Sequence, residues 1–319
     1  MNELFIRVST NSEYGRGHLK RCLYIRNYIK LKVTWYIDNK KNDLRKFLPS
    51  HDKVIVEKKS SSVSCLKNKS HKKKILLIDN YQISNKVKEY LMNYFQVISI
   101  EDELKFLKIS MVICHQPYNF ISNNKRENLY GIKYAPINID YKKKVNFKNN
   151  TNILVCMGAY DSKKITVNII RAILEIEKIT DNKFNTRILI TSNFKEIKLC
   201  KKLIQSNKNF ELIINKNNIY KYIYESDIAI GAPGISHLER LYLGLPSILI
   251  AQNQRQEGIV KGWYKINCAL KAKNSIKSIS YNIIKLLNNY ELRKKIALNG
   301  KKNIDGNGAK RIAKKINSL

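Results

Sequence analysis

Two glycines and a histidine near the start of the chain have the spacing of a ligand-binding turn. Gly15, Gly17 and His18 follow the apolar run 4–8 and precede the segment 19–25, whose apolar residues recur at helical spacing. This order predicts a strand, a glycine turn and a helix. Glycines let a ligand approach the backbone, and a helix N-terminus offers free N–H groups and partial positive charge. An imidazole there can move protons near neutral pH, so His18 is the candidate catalytic residue.

The spacing of this turn excludes two common nucleotide-binding motifs. A dinucleotide fingerprint needs a third Gly or Ala where this chain has Lys20. A phosphate loop of the Walker type needs Gly-Lys-Ser/Thr after a four-residue gap, which is absent here. The alternative to a ligand site is an ordinary strand-to-helix turn that carries a surface histidine.

A second group of candidate residues lies between Gly231 and Glu239, after the apolar run 228–230. Ser236 and Glu239 have the spacing of a capping box, in which the two residues serve only to begin a helix. The functional alternative is an anion site at the N-terminus of that helix, with Glu239 accepting hydrogen bonds from sugar hydroxyls. The spacing alone favours the cap, because a Glu bound to its own cap nitrogen has less capacity for a ligand.

Other polar residues that follow apolar runs admit two interpretations. Asp79 either caps the turn that follows it or belongs to a site. The acidic run 101–103 is either part of a site or a solvated turn that balances nearby lysines. Four further histidines have no partner spacing and are interpreted as surface or structural residues: His51, His71, His115 and His237.

Apolar runs alternate with helical patterns along the chain, which predicts open parallel sheets. In the first half, the runs typical of buried strands are 4–8, 33–37, 54–56, 75–78, 97–100 and 111–114. The pattern restarts with runs at 153–157, 187–191, 210–214, 228–230 and 247–250. We therefore predict an α/β protein of two Rossmann-like, doubly wound domains, with the ligand in a cleft between them.

The polar, charged stretch 139–152 separates the two patterns and is the predicted linker. The expected domains are an N-terminal one over 1–145 and a C-terminal one over 146–319, which includes three closing helices.

The high positive charge does not by itself indicate nucleic-acid binding. The chain has 60 Lys and Arg against 25 Asp and Glu, a formal charge of +35 over 319 residues. Lysines are spread over the whole chain among many Asn and Ile, which indicates a coding bias rather than one basic stripe. No zinc-finger or RNA-binding motif is present, so we expect no nucleic acid as partner. The charge would still attract an anionic small substrate.

The remaining expectations concern the environment of the protein. Six scattered cysteines lack metal-ligand spacing and predict reduced thiols. No signal peptide and no run of transmembrane length is found, so the sequence predicts a cytoplasmic protein without integral membrane contact. We further expect a monomer that uses neither a cofactor nor a metal.

Three motifs, taken in order, are similar to those of a known enzyme group. They are Gly-x-Gly-His at 15–18, Met-Gly-x-x-Asp at 157–161, and Gly-x-x-x-x-Ser-x-x-Glu at 231–239 followed by Gly-x-Pro. The chain resembles the nucleotide-sugar glycosyltransferases of the GT-B fold, which are MurG-like proteins. More closely, it resembles the UDP-sugar hydrolases of pseudaminic acid biosynthesis. Further matching stretches are 6–9, 78–84, 101–103, 131–135, 156–158 and 232–254, so the likeness extends to about residue 256.

The resemblance implies a reaction and a set of site residues. The reaction is inverting hydrolysis of UDP-2,4-diacetamido-2,4,6-trideoxy-β-L-altropyranose to UDP and the free sugar. His18 would be the base that activates or orients the attacking water. The implied substrate-binding residues of the N-terminal domain, on the sugar side, are Gly15, Gly17, Arg21, Tyr81 and Asp102. In the C-terminal domain, the implied residues are Gly158, Ser236 and Glu239 on UDP and Gln254 near the sugar or diphosphate.

Two alternatives remain open. A GT-B glycosyltransferase with a UDP-sugar donor would share nearly all of the C-terminal residues. A basic protein that binds nucleic acid or an anionic surface is the second alternative, and it predicts salt-dependent binding that survives loss of His18.

Overall fold

The computed structural model divides the chain into two compact units. One consists of Met1–Asn138 together with Gly306–Leu319, and the other of Ile139–Asp305. The residues described are 3–10, 17–38, 47–57, 59, 61, 63, 66, 74–103, 107–118, 128–141, 152–158, 160–161, 163–215 and 218–319.

The first unit is built on a parallel sheet with seven strands among the described residues. The strands are β1 (Glu3–Val8), β2 (Lys32–Ile37), β3 (Lys53–Val56), β4 (Ile75–Asp79), β5 (Gln96–Ile100), β6 (Met111–Cys114) and β7 (Leu129–Tyr130). Their order across the sheet is β3-β2-β1-β4-β5-β6-β7, and every pair is parallel. Among its described residues, the α-helices of this unit are α1 (Gly17–Arg26), α2 (Asn85–Tyr90) and the last helix of the chain.

The second unit repeats this plan with a sheet of six described strands. They are β8 (Asn152–Cys156), β9 (Asn185–Ile190), β10 (Phe210–Ile214), β11 (Ile228–Gly231), β12 (Ser247–Ile250) and β13 (Leu270–Ala272), in the order β10-β9-β8-β11-β12-β13. The helices are α3 (Ile165–Thr180), α4 (Ile197–Ile204), α5 (Tyr220–Tyr224), α6 (Ile235–Leu243), α7 (Gln254–Lys265), α8 (Ile276–Leu287) and α9 (Tyr290–Asn303).

The central strands are buried along their length, which explains their continuous apolar sequences. Every residue of β4 and β12 is buried, as expected for parallel strands that are covered on both faces. Helix α3 buries Ile165, Ile169 and Ile173 on one stripe against its sheet. Tertiary packing of this stripe compensates for the modest helix propensity of its β-branched residues.

These two parallel sheets confirm the predicted fold class of two Rossmann-like α/β domains. The structure adds strand β13, which the sequence pattern did not predict, at the edge of the second sheet. The three residues Leu270–Ala272 are too few to show a period. The polar run 252–256 contains a helix start, because Asn253 caps α7 by accepting a hydrogen bond from Gln256 N.

The division of the chain differs from the expected one at its C-terminus. The last helix, α10 (Gly308–Asn317), belongs to the first unit, whereas the prediction grouped it with the second. It buries Ile312 and Ile316, and Asn317 Nδ2 donates to the carbonyl of Tyr28 at 3.0 Å. An amphipathic pattern shows that one face of a helix is buried, but it does not say which core receives that face.

None of the described helices combines the length and the apolar composition that a membrane crossing requires.

Candidate active site

The predicted sugar-side residues lie at the carboxyl edge of the first sheet. Strands β1 and β4 are neighbours, and the later strands proceed away from them in opposite directions. This makes the β1–β4 boundary the topological switch point, where open α/β sheets bind ligands. Asp79 ends β4 at this point, and His18 is the second residue of α1, the helix that follows β1.

His18 is held by the carboxylate of Asp79. Its Nδ1 lies 2.5 Å from Asp79 Oδ1, and both residues are buried. The ring also meets the ring of Tyr81 edge to face, with centroids 4.3 Å apart. A carboxylate this close makes Nδ1 the protonated nitrogen, so the lone pair of the neutral ring is on Nε2. No hydrogen bond joins Nε2 to any residue that the structure describes.

Arg21 connects the two carboxylates of the site. It lies one turn after His18 on α1, and its Nε and Nη2 both donate to Asp79, Nη2 at 2.5 Å from Oδ1. Its Nη1 donates to Asp102 Oδ1 at 2.8 Å. One planar guanidinium thus orients Asp79, which in turn orients His18.

Asp102, two residues beyond β5, collects further donors. The hydroxyl of Tyr81 donates to Asp102 Oδ2, and Gln116 Nε2 donates to Oδ1 at 2.8 Å. The hydroxyl of Tyr118 donates to the Asp102 carbonyl at 3.0 Å. Asp102 is 7% exposed and Arg21 is 4% exposed. Both hold other side chains of the network in place, and their implied contact with substrate stays a prediction.

Ion pairing keeps this buried network charged. Burial by itself would raise the carboxyl pKa of Asp79 and of Asp102, but the charge of Arg21 and the contributions of neighbouring groups together outweigh it and lower both below the ordinary value. Burial by itself would lower the pKa of Arg21, but the two carboxylates together outweigh it and raise that pKa well above the ordinary value.

The geometry decides between the alternatives that the sequence left open in this unit. Asp79 does not cap the next turn; Asn80 does, because its Oδ1 accepts from Gln82 N at 2.9 Å. Glu101 and Asp102 are buried, so a solvated turn is the wrong interpretation for them.

Sequence reasoning missed two residues beside Asp102. His115, interpreted as a surface or structural residue, is 2% exposed and lies next to Gln116, which donates to Asp102. Burial lowers the pKa of His115 to about 4, so it is neutral near pH 7. The available signal was position, since both residues directly follow strand β6.

The second unit places its candidate residues at the corresponding switch point, between β8 and β11. Gly158 lies two residues beyond β8 with φ +92°, a conformation that side chains rarely adopt. Helix α6 follows β11 and begins after Gly234, without a hydrogen bond from a capping side chain. The N–H of His237 donates to the Gly234 carbonyl at 2.9 Å, which leaves the first-turn N–H groups of Ile235 and Ser236 for another acceptor.

The capping-box interpretation of Ser236 and Glu239 is therefore wrong. Ser236 is the second residue of α6, not its cap, and is half-buried. Glu239 is fully buried, and its Oε1 accepts from the hydroxyl of Tyr220 at 3.4 Å. Gln254 is exposed as the first residue of α7.

The two predicted glycines of the first unit, Gly15 and Gly17, differ in their place in the structure. Gly17 begins α1, whereas Gly15 lies outside the described residues. Within the described ranges, no group of three or more His, Cys, Asp or Glu side chains is arranged to hold a metal ion. Five cysteines fall in these ranges, and all five are buried free thiols.

Comparison with protein families gives a match over the second unit. Residues 138–303, just over half of the chain, match the family described as "Glycosyl transferases group 1". The chain is also 24% identical over 269 residues to an uncharacterized protein of Methanocaldococcus jannaschii, covering 76% of this chain and 54% of that protein.

A second relative is the spore coat polysaccharide biosynthesis protein SpsG of Bacillus subtilis. The two are 24% identical over 169 residues, which cover 52% of this chain and 49% of SpsG. The chain spans about half the length of the curated relatives it matches. Among solved structures, MurG of Acinetobacter baumannii is similar with a TM-score of 0.69 at 11% identity, covering all of both chains. At this identity the similarity shows the fold alone.

Proposed function

Because this chain belongs to the glycosyl transferases group 1 family, we propose that it binds a UDP-sugar and cleaves the bond between the anomeric carbon and the diphosphate. The family match covers the second unit, which supports nucleotide binding there. The name of the SpsG relative, a polysaccharide biosynthesis protein, supports a sugar substrate. We further propose that water is the acceptor, which makes the reaction a hydrolysis.

The observation that carries this proposal is the pairing of His18 with Asp79. The carboxylate at 2.5 Å from Nδ1 leaves Nε2 as the basic nitrogen, as in hydrolases that pair His with Asp. In the proposed step, Nε2 takes a proton from water while the water oxygen bonds to the anomeric carbon. The anomeric C–O bond breaks, and its electron pair goes to the terminal phosphate oxygen of UDP. The imidazolium that forms faces the Asp79 carboxylate, which stabilises it.

The second unit would bind and stabilise the leaving group. The uncapped N-terminus of α6 and the turn at Gly158 would accept the diphosphate, since backbone N–H groups and the helix dipole favour anions. Glu239 would accept hydrogen bonds from ribose hydroxyls. A leaving group stabilised in this way needs little help from an acid.

We propose UDP-2,4-diacetamido-2,4,6-trideoxy-β-L-altropyranose as the substrate, on the strength of the motif resemblance. A single displacement by water inverts the anomeric centre, because the water attacks from the face opposite the leaving diphosphate. The free sugar is therefore expected first as the inverted anomer.

Transfer to a sugar or lipid hydroxyl is the second candidate function, and the family match favours it directly. The same base would then deprotonate an acceptor hydroxyl in place of water. The two functions differ in the acceptor alone, so only a comparison of acceptors separates them.

The test is an NMR time course with the UDP-linked diacetamido sugar and no added acceptor. We expect wild type to release UDP and free sugar and His18→Asn to release neither at a comparable rate. The matched control is His51→Asn, which changes an exposed histidine of the same unit. Substrate that stays intact with wild type contradicts the hydrolase, and turnover that begins only after an acceptor is added selects the transferase.

A further inference from the structure

A buried arginine lies beneath the loop that joins β11 to α6. Arg240 is 1% exposed, and its side chain leans toward the start of α6, as helix side chains do. Its Nη2 donates to the carbonyl of Ala232 at 3.0 Å. A Cβ placed on Gly231 would lie 2.4 Å from Arg240 Nη1 and 2.2 Å from the carbonyl oxygen of Cys156. The guanidinium therefore occupies the space that glycine leaves at the switch point.

This guanidinium carries a charge that nothing nearby neutralises fully. Its Nε and Nη1 have no hydrogen-bond partner, and it forms no ion pair, among the residues that the structure describes. Burial lowers the pKa of Arg240 to about 10, and the interactions with Cys156 and Glu239 offset only part of that effect. An incompletely paired cation in the protein interior is costly, so an anion nearby would be favoured.

The two ionisable neighbours of Arg240 on α6, His237 and Glu239, add no positive charge. His237, in the first turn of α6, is fully buried against Trp263, and neither of its ring nitrogens has a partner in the described part of the chain. Burial lowers the pKa of His237 well below its ordinary value, so its ring is neutral. Glu239 is fully buried beside Arg240 and would repel a diphosphate if its charge were not offset.

We propose that Arg240 is a positioning residue for a diphosphate at the start of α6. It holds the 231–234 loop through Ala232, and its charge offsets that of Glu239, so that the uncapped first turn accepts a polyanion. The identity of the nucleotide rests on the proposed function, whereas the requirement for an anion rests on Arg240 itself.

The test measures affinity for inorganic pyrophosphate, UDP and uridine by calorimetry on the full chain. In Arg240→Met, we expect pyrophosphate and UDP to bind about tenfold more weakly or worse, with uridine unchanged, because only the charged ligands lose an attraction. Arg240→Lys keeps the charge and should retain most of the affinity. Adding Glu239→Gln to Arg240→Met should restore part of the pyrophosphate affinity, since the uncompensated carboxylate is removed.

The matched control is Arg293→Met in the same unit. Arg293 is also buried, but it donates to the carbonyls of Leu286 and Leu287 at the end of α8. This variant should lower the melting temperature and leave the three affinities unchanged. Arg240→Gln provides a second neutral variant if Arg240→Met does not fold.

Three kinds of outcome bear on the inference and on the proposed function. Unchanged pyrophosphate affinity in the neutral variants, or an equal loss for uridine, would overturn the role of Arg240. A wild type that binds pyrophosphate in an Arg240-dependent way, but not UDP, would support the inference and contradict the UDP proposal. A wild type that binds none of the three ligands would overturn both.

Discussion

Arg21 holds the side chains of the first-unit site in place, whereas His18 is the proposed catalytic base. Two carboxylates, Asp79 and Asp102, are buried together, and like charges at such a place would force one of them to be protonated. The guanidinium pairs with both, so Asp79 stays ionised and keeps its contact with His18. Replacing Arg21 would leave two buried acids without their cation, which destabilises strongly.

Asp79→Asn should separate positioning from folding. An amide can donate to Nδ1 as well as accept from it, so the ring loses its preference for the tautomer with a basic Nε2. We expect kcat for UDP release to fall by about 10²- to 10⁴-fold while KM changes little. The measurement is steady-state UDP release from the diacetamido substrate.

The control for this change is Asp52→Asn in the same unit. Asp52 is also paired with an arginine, at 2.6 Å from Arg26 Nη2, and accepts from Trp35 Nε1 at 2.8 Å. It precedes β3 and so lies at the opposite edge of the sheet. We expect this variant to lose stability and keep kcat. Equal losses of kcat in the two variants would contradict a positioning role for Asp79.

The sequence could predict part of this network and not the rest. His18 and Arg21 are three residues apart on one helix, so helical geometry alone places them on one face. Asp79 and Asp102 each follow an apolar run, which marks them as candidates but leaves a turn cap or a solvated turn open as alternatives. Arg21 contacts Asp79 across 58 residues of sequence and Asp102 across 81 residues. No local sequence pattern encodes such long-range contacts.

At the scale of elements, each sheet positions its site through the ends of its strands. Long buried strands such as β4 were predictable because their apolar runs are continuous. The short strand β13 was not predictable, because three residues show no period. The helix start at Gln254 was not predictable either, because a polar run indicates a loop as readily as a capped helix. The tertiary destination of α10 is likewise absent from its local pattern.

Gly308 allows α10 to pack on the first unit. A Cβ at this position would lie 2.0 Å from the carbonyl oxygen of Ala135, which is backbone and cannot move aside as a side chain could. Gly308→Ala should therefore lower the free energy of unfolding by about 1–3 kcal/mol, the usual cost of overpacking. Hydrogen exchange should show the loss of protection in the first unit, with the amides of β8 to β12 unaffected.

Gly17→Ala is the matched control for stability. A Cβ on Gly17 meets no atom within 4 Å, and alanine favours a helix more than glycine does. We expect this variant to be as stable as wild type or slightly more so. If Gly308→Ala were equally harmless, α10 would not be held by the close approach at Ala135.

At the scale of the whole molecule, the two units provide different evidence for the function. Both sheets have the same switch-point topology, and each is followed there by a helix start, at Gly17 in the first unit and at Ile235 in the second. The family match covers the second unit, whereas the His18–Asp79–Arg21 network belongs to the first. In the proposed function, the family match of the second unit supports the nucleotide sugar, and the choice between water and another acceptor would depend on the first unit.

Each unit also contains a buried neutral histidine, and together they should make the protein less stable in acid. The pKa of His115 is about 4 and that of His237 is lowered in the same direction, both by burial, whereas an unfolded chain has histidines near 6.5. Between these values the unfolded state binds protons that the native state does not, so stability falls as pH falls from about 6.5 to about 4. The lowered pKa of His115 alone reduces the free energy of unfolding by about 3 kcal/mol between the upper and the lower end of this pH range. Asp79 and Asp102, whose pKa values are lowered in the native state, add a slope of the same sign only below about pH 5, where the carboxyl groups of the unfolded chain begin to take up protons.

Urea unfolding at pH 8, 6.5 and 5 measures this effect, and His237→Phe is the informative variant. Both ring nitrogens of His237 lack partners in the described part of the chain, so a phenyl ring of similar shape removes the titrating group without breaking a hydrogen bond. We expect the difference in unfolding free energy between pH 8 and pH 5 to shrink in His237→Phe, and the variant to be at least as stable as wild type at pH 5. His115→Asn should also reduce the slope, although it loses the contact with Gln116. A wild type whose stability is flat from pH 8 to pH 5 would contradict the burial of neutral histidines in both units.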